Sequence, residues 1–318
     1  MKVLLIGYSS ISKRRVIPAL LSLGAESVDV ASLSKSAWEW SSYLPLRMFR
    51  DYDQALDQTD AQAVYVSTVN SQHARWARKA LQSGFHVIVD KPAFLSVAET
   101  QELIELAHRN QRCLAEATVY VCHPSISTAR KAFEQAGSSP THLLAVFSYP
   151  PVSSDNYRNF AESGGGALWD LGPYAITPGR LFFGVAPSDI IGRRLSENDE
   201  VETSFSMMAL YPGGRSCTGS FGFTTGYLNR LDIVGPGIVV TIDRAFTPLP
   251  DSTTELTIRE SDKVRSIQVP PADSFALFFE DFFHAVASRN YGDFRNCMLA
   301  DAIALDRLRM SALASPIA

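Results

Sequence analysis

The sequence predicts an α/β protein: a parallel sheet crossed by helices in the first third, then an α+β half on a largely antiparallel open sheet. Three observations predict it. Short apolar runs near the start alternate with stretches of helical periodicity, the pattern of βαβ units. Beyond about residue 120, apolar runs follow one another with only Gly/Pro turns between them. The 318 residues are 46% hydrophobic and 19% charged, enough for a core that needs neither disulfides nor a metal.

Taken in order, residues 3–6 form an apolar run that stops at Gly7, and Ile11, Val16, Leu20, Leu21 and Leu23 then recur at helical spacing. That is strand, turn, helix. Further strands are expected at 27–31, 63–68 and 86–89, with HARWARKALQSG between the last two as a helix that Gly84 ends. Ser96 followed by Glu99 is a capping box that opens a helix over 96–111, and 113–120 supplies the last strand of this half. Strands follow at 142–149, 203–211, 216–223, 230–235, 237–243 and 255–260, and helical patterns at 274–289 and 296–313 close the chain. The change of pattern sets the expected boundary, with domains 1–120 and 121–318.

Composition narrows the function. With 29 Lys+Arg against 33 Asp+Glu the formal net charge is −4, which argues against nucleic acid or an anionic membrane as main partner and for a small ligand. No apolar run reaches about 18 residues, since FALFFEDFFHAV is broken by Glu280, Asp281 and His284. Cys113, Cys122, Cys217 and Cys297 form no CxxC pair and show no ligand spacing with histidine, so no metal site or redox dithiol is expected. MKVLLIGYSS is too short for a signal h-region, and the expectation is a soluble cytoplasmic protein.

A dinucleotide turn wants G-x-G-x-x-G, because glycines permit a tight turn and close approach of backbone to a pyrophosphate. Here Gly7-Tyr8-Ser9-Ser10-Ile11-Ser12 keeps only the first glycine, while Ser9 and Ser10 add hydroxyl donors and Lys13, Arg14 and Arg15 add positive charge. On this motif alone a nucleotide turn and a merely solvated turn stand level. Downstream, Thr68, Asn70, His73 and Asp90-Lys91-Pro92 fall at the carboxyl ends of parallel strands, where α/β sheets bind ligands. His73 alone also fits a plain hydrogen-bonding role at a helix start. At the end of the second strand stand Ser32, Ser34 and Lys35, with Asp29 inside the strand. No carboxylate there would repel a 2′-phosphate, which favours NADP(H) over NAD(H).

These segments resemble the Gfo/Idh/MocA family of NAD(P)-dependent oxidoreductases along essentially the whole chain. The resemblance rests on GYSSISKRRVIPAL, STVNSQHARWARKALQSGFHVIVDKP, EATVYVCHP and NYRNFAESGGGALWDLGPYAI. Family members usually carry TPNxxH, E-K-P and D-x-G-x-H, where this chain has TVNSQH, D-K-P and D-L-G-P-Y. Asp90 thus replaces glutamate, and Tyr174 stands where many members have histidine. The tyrosine version is similar to the glucose–fructose oxidoreductase, dihydrodiol dehydrogenase and nucleotide-sugar 3-ketoreductase branches, and the opening turn is most similar to the last. The resemblance implies a Rossmann-type N-terminal domain holding the cofactor through Gly7, Ser9, Ser10, Ile11, Ser32, Lys35, Thr68, Asn70, His73, Asp90 and Lys91. It further implies a C-terminal α+β domain for substrate binding and homo-oligomer formation.

Asp170 and Tyr174 are four apart, so a helix after Gly164-Gly165-Gly166 would put them on one face, with Pro173 tolerated only in its first turn. Reducing a ketone needs a hydride donor and a proton donor, and Tyr174 can give the proton. Bringing its reference pKa of about 10 near 7 takes about 4 kcal/mol of phenolate stabilisation. An ammonium supplies this, and the resemblance places Lys91 beside the nicotinamide and the substrate oxygen, making one acid/base unit with Tyr174. Asp170 is carried over as a substrate-orienting or lysine-positioning residue; a helix N-cap after the glycines fits it equally. Arg158 is expected to bind an anionic substrate group, with a plain surface charge as the alternative. The expected activity is NADP(H)-dependent hydride transfer at a sugar carbonyl, on a keto-sugar or nucleotide-linked keto-sugar. Oxidation of a free aldose or cyclic diol is the alternative enzyme reading, and a non-catalytic cofactor-binding regulator the alternative of another class.

Overall fold

The computed structural model describes residues 1–33, 47–261, 263–314 and 317. Two compact units emerge, one of Met1–Thr118 with Phe275–Leu299, the other of Val119–Ser274 with Ala300–Ala318. The expected division at residue 120 therefore misplaces 275–299, which belong to the first unit. Periodicity identifies a helix but not the sheet it packs on.

The first unit is built on six parallel strands in the order β3-β2-β1-β4-β5-β6, comprising β1 Lys2–Ile6, β2 Ser27–Ala31, β3 Met48–Phe49, β4 Ala63–Val66, β5 His86–Asp90 and β6 Leu114–Ala117. Val64, Val66, Val87 and Val89 are fully buried, as continuous apolar runs on a sheet covered on both faces should be. After β1, the helix is not uniform. Ser12–Val16 form a wide π turn that runs into α1, Ile17–Ser22. Pro18 explains it: with no N–H it cannot bond to the carbonyl four residues back, and its ring crowds that turn. Helices α2 Tyr52–Gln58, α3 His73–Gln82 and α4 Val97–Arg109 follow, and Ser96 caps α4 by accepting the Glu99 N–H at 3.1 Å. α8, Ser274–Ser288, and the start of α9, Gly292–Leu313, complete this unit, with fully buried Phe279 edge-on to Tyr65.

The second unit carries an eight-stranded sheet ordered β14-β13-β12-β11-β7-β10-β9-β8. Its strands are β7 His142–Ser148, β8 Asp189–Glu197, β9 Glu202–Tyr211, β10 Arg215–Gly222, β11 Leu228–Gly235, β12 Ile238–Asp243, β13 Thr254–Glu260 and β14 Lys263–Val269. Pairing is antiparallel except between β7 and β10. Side chains alternate in burial: Phe205, Met207, Ala209 and Tyr211 of β9 face the core, while Met208 and Leu210 face outwards. Helices α5 Pro124–Gln135, α6 Ala167–Asp170 and α7 Gly172–Phe183 cover the inner face with the tail of α9, whose Leu308 is fully buried.

Candidate active site

In the first unit the strand order reverses between β2 and β4 on either side of β1, and the residues singled out from sequence gather there at the carboxyl ends of the strands. Gly7 follows β1 with φ of 95°, and a Cβ on it would stand 2.4 Å from the Ser67 carbonyl oxygen. Only glycine fits, and the backbone of this turn lies close against the end of β4. Ser9, in the place of the second family glycine, turns its hydroxyl inwards to accept the Ser12 N–H at 3.0 Å and to bond the Ser67 hydroxyl at 2.7 Å. Ser67 and Tyr65 in turn donate to the two carboxylate oxygens of Asp90. A chain of hydroxyls thus ties the first turn to the Asp90-Lys91-Pro92 segment.

Ser10 is exposed and Ile11 half-buried where the π turn begins. Thr68 is half-buried, its hydroxyl directed to the Val69 carbonyl at 3.3 Å. Asn70 and His73 are buried. His73 sets Nδ1 at 2.9 Å from the Pro92 carbonyl oxygen and Nε2 at 3.1 Å from that of Thr68, so its ring lies between the ends of β4 and β5 and its single N–H donates to one of the two. Burial pulls the pKa of this imidazole down, against Asp90 and the surrounding carbonyls. Its place is beneath the mouth, holding the loops above it. Glu116, at the end of β6, adds a further tie by accepting the Ala93 N–H at 2.8 Å.

At the end of β2, Ser32 is buried and donates its N–H to Phe49 at 3.0 Å. Lys35 and Ser34 lie outside the described residues. Asp29 is 2% exposed and accepts from Arg47 at 2.9 Å and from the Thr59 hydroxyl at 2.7 Å. That carboxylate is committed within the fold, and β2 ends without an acidic side chain.

In the second unit, the glycine run fixes Arg158. A Cβ on Gly165 would stand 2.5 Å from the Arg158 carbonyl oxygen, and Gly166 donates to that same oxygen at 2.9 Å. Gly166 has φ of 101°, and α6 begins after it with the Glu202 carboxylate accepting the Leu168 N–H at 2.9 Å. The N-cap reading of Asp170 therefore falls: Glu202 serves that helix start from another strand, and Asp170 is the last residue of α6. The helix breaks at Leu171, so Tyr174 opens a new helix, α7, within its first turn.

Asp170, 4% exposed, is the hub of this cluster. Its Oδ2 accepts the Tyr149 hydroxyl at 2.5 Å and stands 2.9 Å from the Arg158 Nε. Burial works against the Arg158 charge, but Asp170 with Tyr157 and Tyr149 outweighs it and holds the guanidinium above its usual pKa. Burial, reinforced by Asp170, pushes the Tyr149 hydroxyl up, so it stays a donor. Tyr174 is half-buried, its ring 5.2 Å from Phe147, 5.4 Å from Phe246 and 5.8 Å from Tyr120. The aromatic wall fixes the ring by packing. Sequence reasoning missed Tyr149, Tyr65 and Ser67; Tyr65 in β4 and Ser67 just past its end alternate towards a mouth that was already suspect, which is the signal that could have found them. Among the described residues no group of three His, Cys, Asp or Glu side chains could hold a metal.

Residues 1–118 match the oxidoreductase family with an NAD-binding Rossmann fold, and residues 138–237 match the GFO/IDH/MocA C-terminal domain. A dTDP-3,4-didehydro-2,6-dideoxy-alpha-D-glucose 3-reductase of Saccharopolyspora spinosa is 29% identical over 273 residues, covering 84% of this chain and 82% of that one. D-xylose 1-dehydrogenase (NADP(+)) 2 of Haloferax volcanii is 26% identical, with 89% and 88% covered. The crystal structure of KijD10, a 3-ketoreductase from Actinomadura kijaniata in complex with NADP and TDP-benzene, superposes with a TM-score of 0.92 at 26% identity, covering 98% of each chain. With both of its domains matched in order and its strand topology that of a dinucleotide fold, the chain belongs to the Gfo/Idh/MocA family of oxidoreductases.

Proposed function

We propose that this oxidoreductase is an NADP(H)-dependent reductase of a keto group on a nucleotide-linked sugar. The observation that carries this reading is the parallel-sheet mouth, where the glycine turn after β1 closes on the end of β4 and β2 ends in Ser32 with its acidic residue, Asp29, held in an ion pair. That donor set fits a dinucleotide bearing a 2′-phosphate: Gly7, Ser9, Ser10 and Ile11 would line its pyrophosphate, and the region of Ser32 and Lys35 its ribose phosphate. Thr68, Asn70, Asp90 and Lys91 would line the nicotinamide end, with His73 behind them. When bound, NADPH supplies the hydride.

The chain's own residues do the rest. The Tyr174 hydroxyl gives a proton to the substrate carbonyl oxygen, and the Lys91 ammonium favours the phenolate left behind. Arg158, held by Asp170, pairs with an anionic group of the substrate, such as a diphosphate, through its planar fork. The resemblance to KijD10, held with NADP and TDP-benzene, supports a nucleotide-linked substrate. The resemblance to a D-xylose dehydrogenase supports the reverse reaction on a free aldose as second reading, with Tyr174 as base. Turnover on a panel of nucleotide-linked keto-sugars and free aldoses, with NADPH and NADP+, separates them. NADPH oxidation with the nucleotide-linked substrates alone is expected; NADP+ reduction with aldoses alone would overturn the first reading. Tyr174→Phe should cost at least about 100-fold in kcat with little change in cofactor affinity; a variant at wild-type rate removes Tyr174 as proton donor.

We also read the chain as a cytoplasmic homo-oligomer with no nucleic-acid or membrane partner. No helix among the described residues is long and apolar enough to cross a membrane. The outer face of the eight-stranded sheet leaves Leu144, Ile191, Met208, Leu210 and Leu228 each more than a third exposed, which suits pairing with a second copy.

A further inference from the structure

On the edge of the parallel sheet opposite Gly7 and Lys91, where β5 and β6 begin, a cavity of about 270 Å3 opens between the end of α4 and the turn from α8 into α9. Its polar lining is His108, Arg112, Arg289, Asn290, Tyr291 and Arg295, and no aspartate or glutamate among the described residues lines it. In a chain of net charge −4, three guanidiniums with no carboxylate between them call for an explanation. By contrast, Arg47 pairs with Asp29 and Asp60, and Arg78 with Glu102. Arg289 and Arg295 form no ion pair among the described residues.

Part of the lining is held in place. Arg112 donates Nε to the Gly84 carbonyl and a terminal nitrogen to that of Gln111, which leaves the rest of its fork for the cavity. His86 sits edge-on to Tyr291 at 5.9 Å and accepts the Cys113 N–H on Nδ1 at 2.9 Å. Arg289 follows the end of α8 with φ of 54°, the left-handed conformation in which a helix stop favours glycine. An arginine there sets its guanidinium at the cavity mouth on a sharply turned backbone.

We propose that this cavity binds a phosphate group, either free or as a small phosphomonoester. Guanidinium forks match phosphate oxygens in pairs, and several of them converging without a competing carboxylate are selective for a multiply charged oxyanion. The volume suits a phosphorylated three-carbon or four-carbon compound. The position, at the amino ends of the strands, separates it from the cofactor mouth at their carboxyl ends.

Isothermal titration of the full chain tests this, with saturating NADP+ present so that phosphate cannot register at the dinucleotide turn. One arm uses inorganic phosphate and the other glycerol 3-phosphate, both at low ionic strength. Saturable binding in the millimolar range or tighter is expected, weakened at least tenfold in the Arg289→Gly/Arg295→Gln variant. Glycine adopts the backbone conformation of residue 289 freely, so Arg289→Gly alone removes a charge without straining the fold. Binding in both arms identifies the free ion as sufficient, and binding of glycerol 3-phosphate alone identifies the ester; either supports the site. No saturable heat in either arm, or equal affinity in the variants, overturns it. Neither arm reads turnover, so failure of the proposed reduction leaves this result intact.

Discussion

Asp170 holds two donors at once, the Tyr149 hydroxyl and the Arg158 guanidinium. Asp170→Asn would remove the charge while keeping the shape, leaving Arg158 27% exposed beside a neutral amide. Breaking such a pair costs about 2 kcal/mol after allowance for the exposure, and we expect that loss in a chemical denaturation curve, together with a raised KM for the anionic substrate. The residue type and its spacing from Tyr174 were legible in the sequence; its partners were not, because Tyr149 comes from the end of a strand 21 positions earlier. Likewise the sequence marks His73 as a polar residue at a strand mouth but cannot show that both nitrogens meet carbonyls. Two other histidines bear on pH. Burial, with Arg112 beside it in the first case, pushes His86 and His123 down to about 4. In the unfolded chain each titrates near 6.5, so the unfolded state takes up protons first as pH falls. Stability is therefore fully present above about 6.5 and is lost between there and about 4. His86→Gln should flatten that loss in thermal melts recorded across this window.

Local geometry at the level of single elements tracks chemistry that the sequence states openly. Ser96 caps α4 through its hydroxyl, the first half of the expected box, and Ser96→Ala should lower stability by about 1 kcal/mol in a urea melt. Gly166→Ala should cost more than about 1 kcal/mol, because the left-handed backbone and the Glu202 carboxylate, 2.4 Å from the added methyl, act together. What stayed hidden has a common cause. β8 and β14, absent from the expected strands, are the two edges of the eight-stranded sheet. Their sequences, DIIGRRLSE and KVRSIQV, are charged and mostly exposed, since an edge packs little and is protected from further pairing by charge. α5 is equally hard to see: its buried Ile126, Ala129, Ala132 and Phe133 are spaced for a helix but are diluted by serines and small residues. At the first turn, periodicity gave a single helix where Pro18 imposes a π segment, a matter of one missing N–H.

At the level of the molecule, alternation along β9 predicts two faces for the large sheet, and the outward one is where copies would meet in the homo-oligomer proposed above. Met208 and Leu210 lie on that face at 42% and 38% exposure, so Met208→Lys with Leu210→Glu should shift the mass seen by light scattering to that of one chain, with the unfolding midpoint little changed. An unchanged mass would place the interface elsewhere. The topology of the parallel sheet was readable from its alternation of strand and helix, whereas the return of 275–299 to the first unit was not, because no local signal encodes a partner more than 150 residues away.

That return carries a consequence for how the molecule is made. The amino-terminal unit leaves the ribosome early, yet Phe278, Phe279 and Phe282, all nearly or fully shielded from water, are translated after the whole second sheet. Biosynthesis therefore runs with a half-finished hydrophobic surface waiting for its last piece, and the nascent chain is most in need of chaperone cover during that interval. Cutting the gene after residue 118 would yield a fragment lacking part of its own interior.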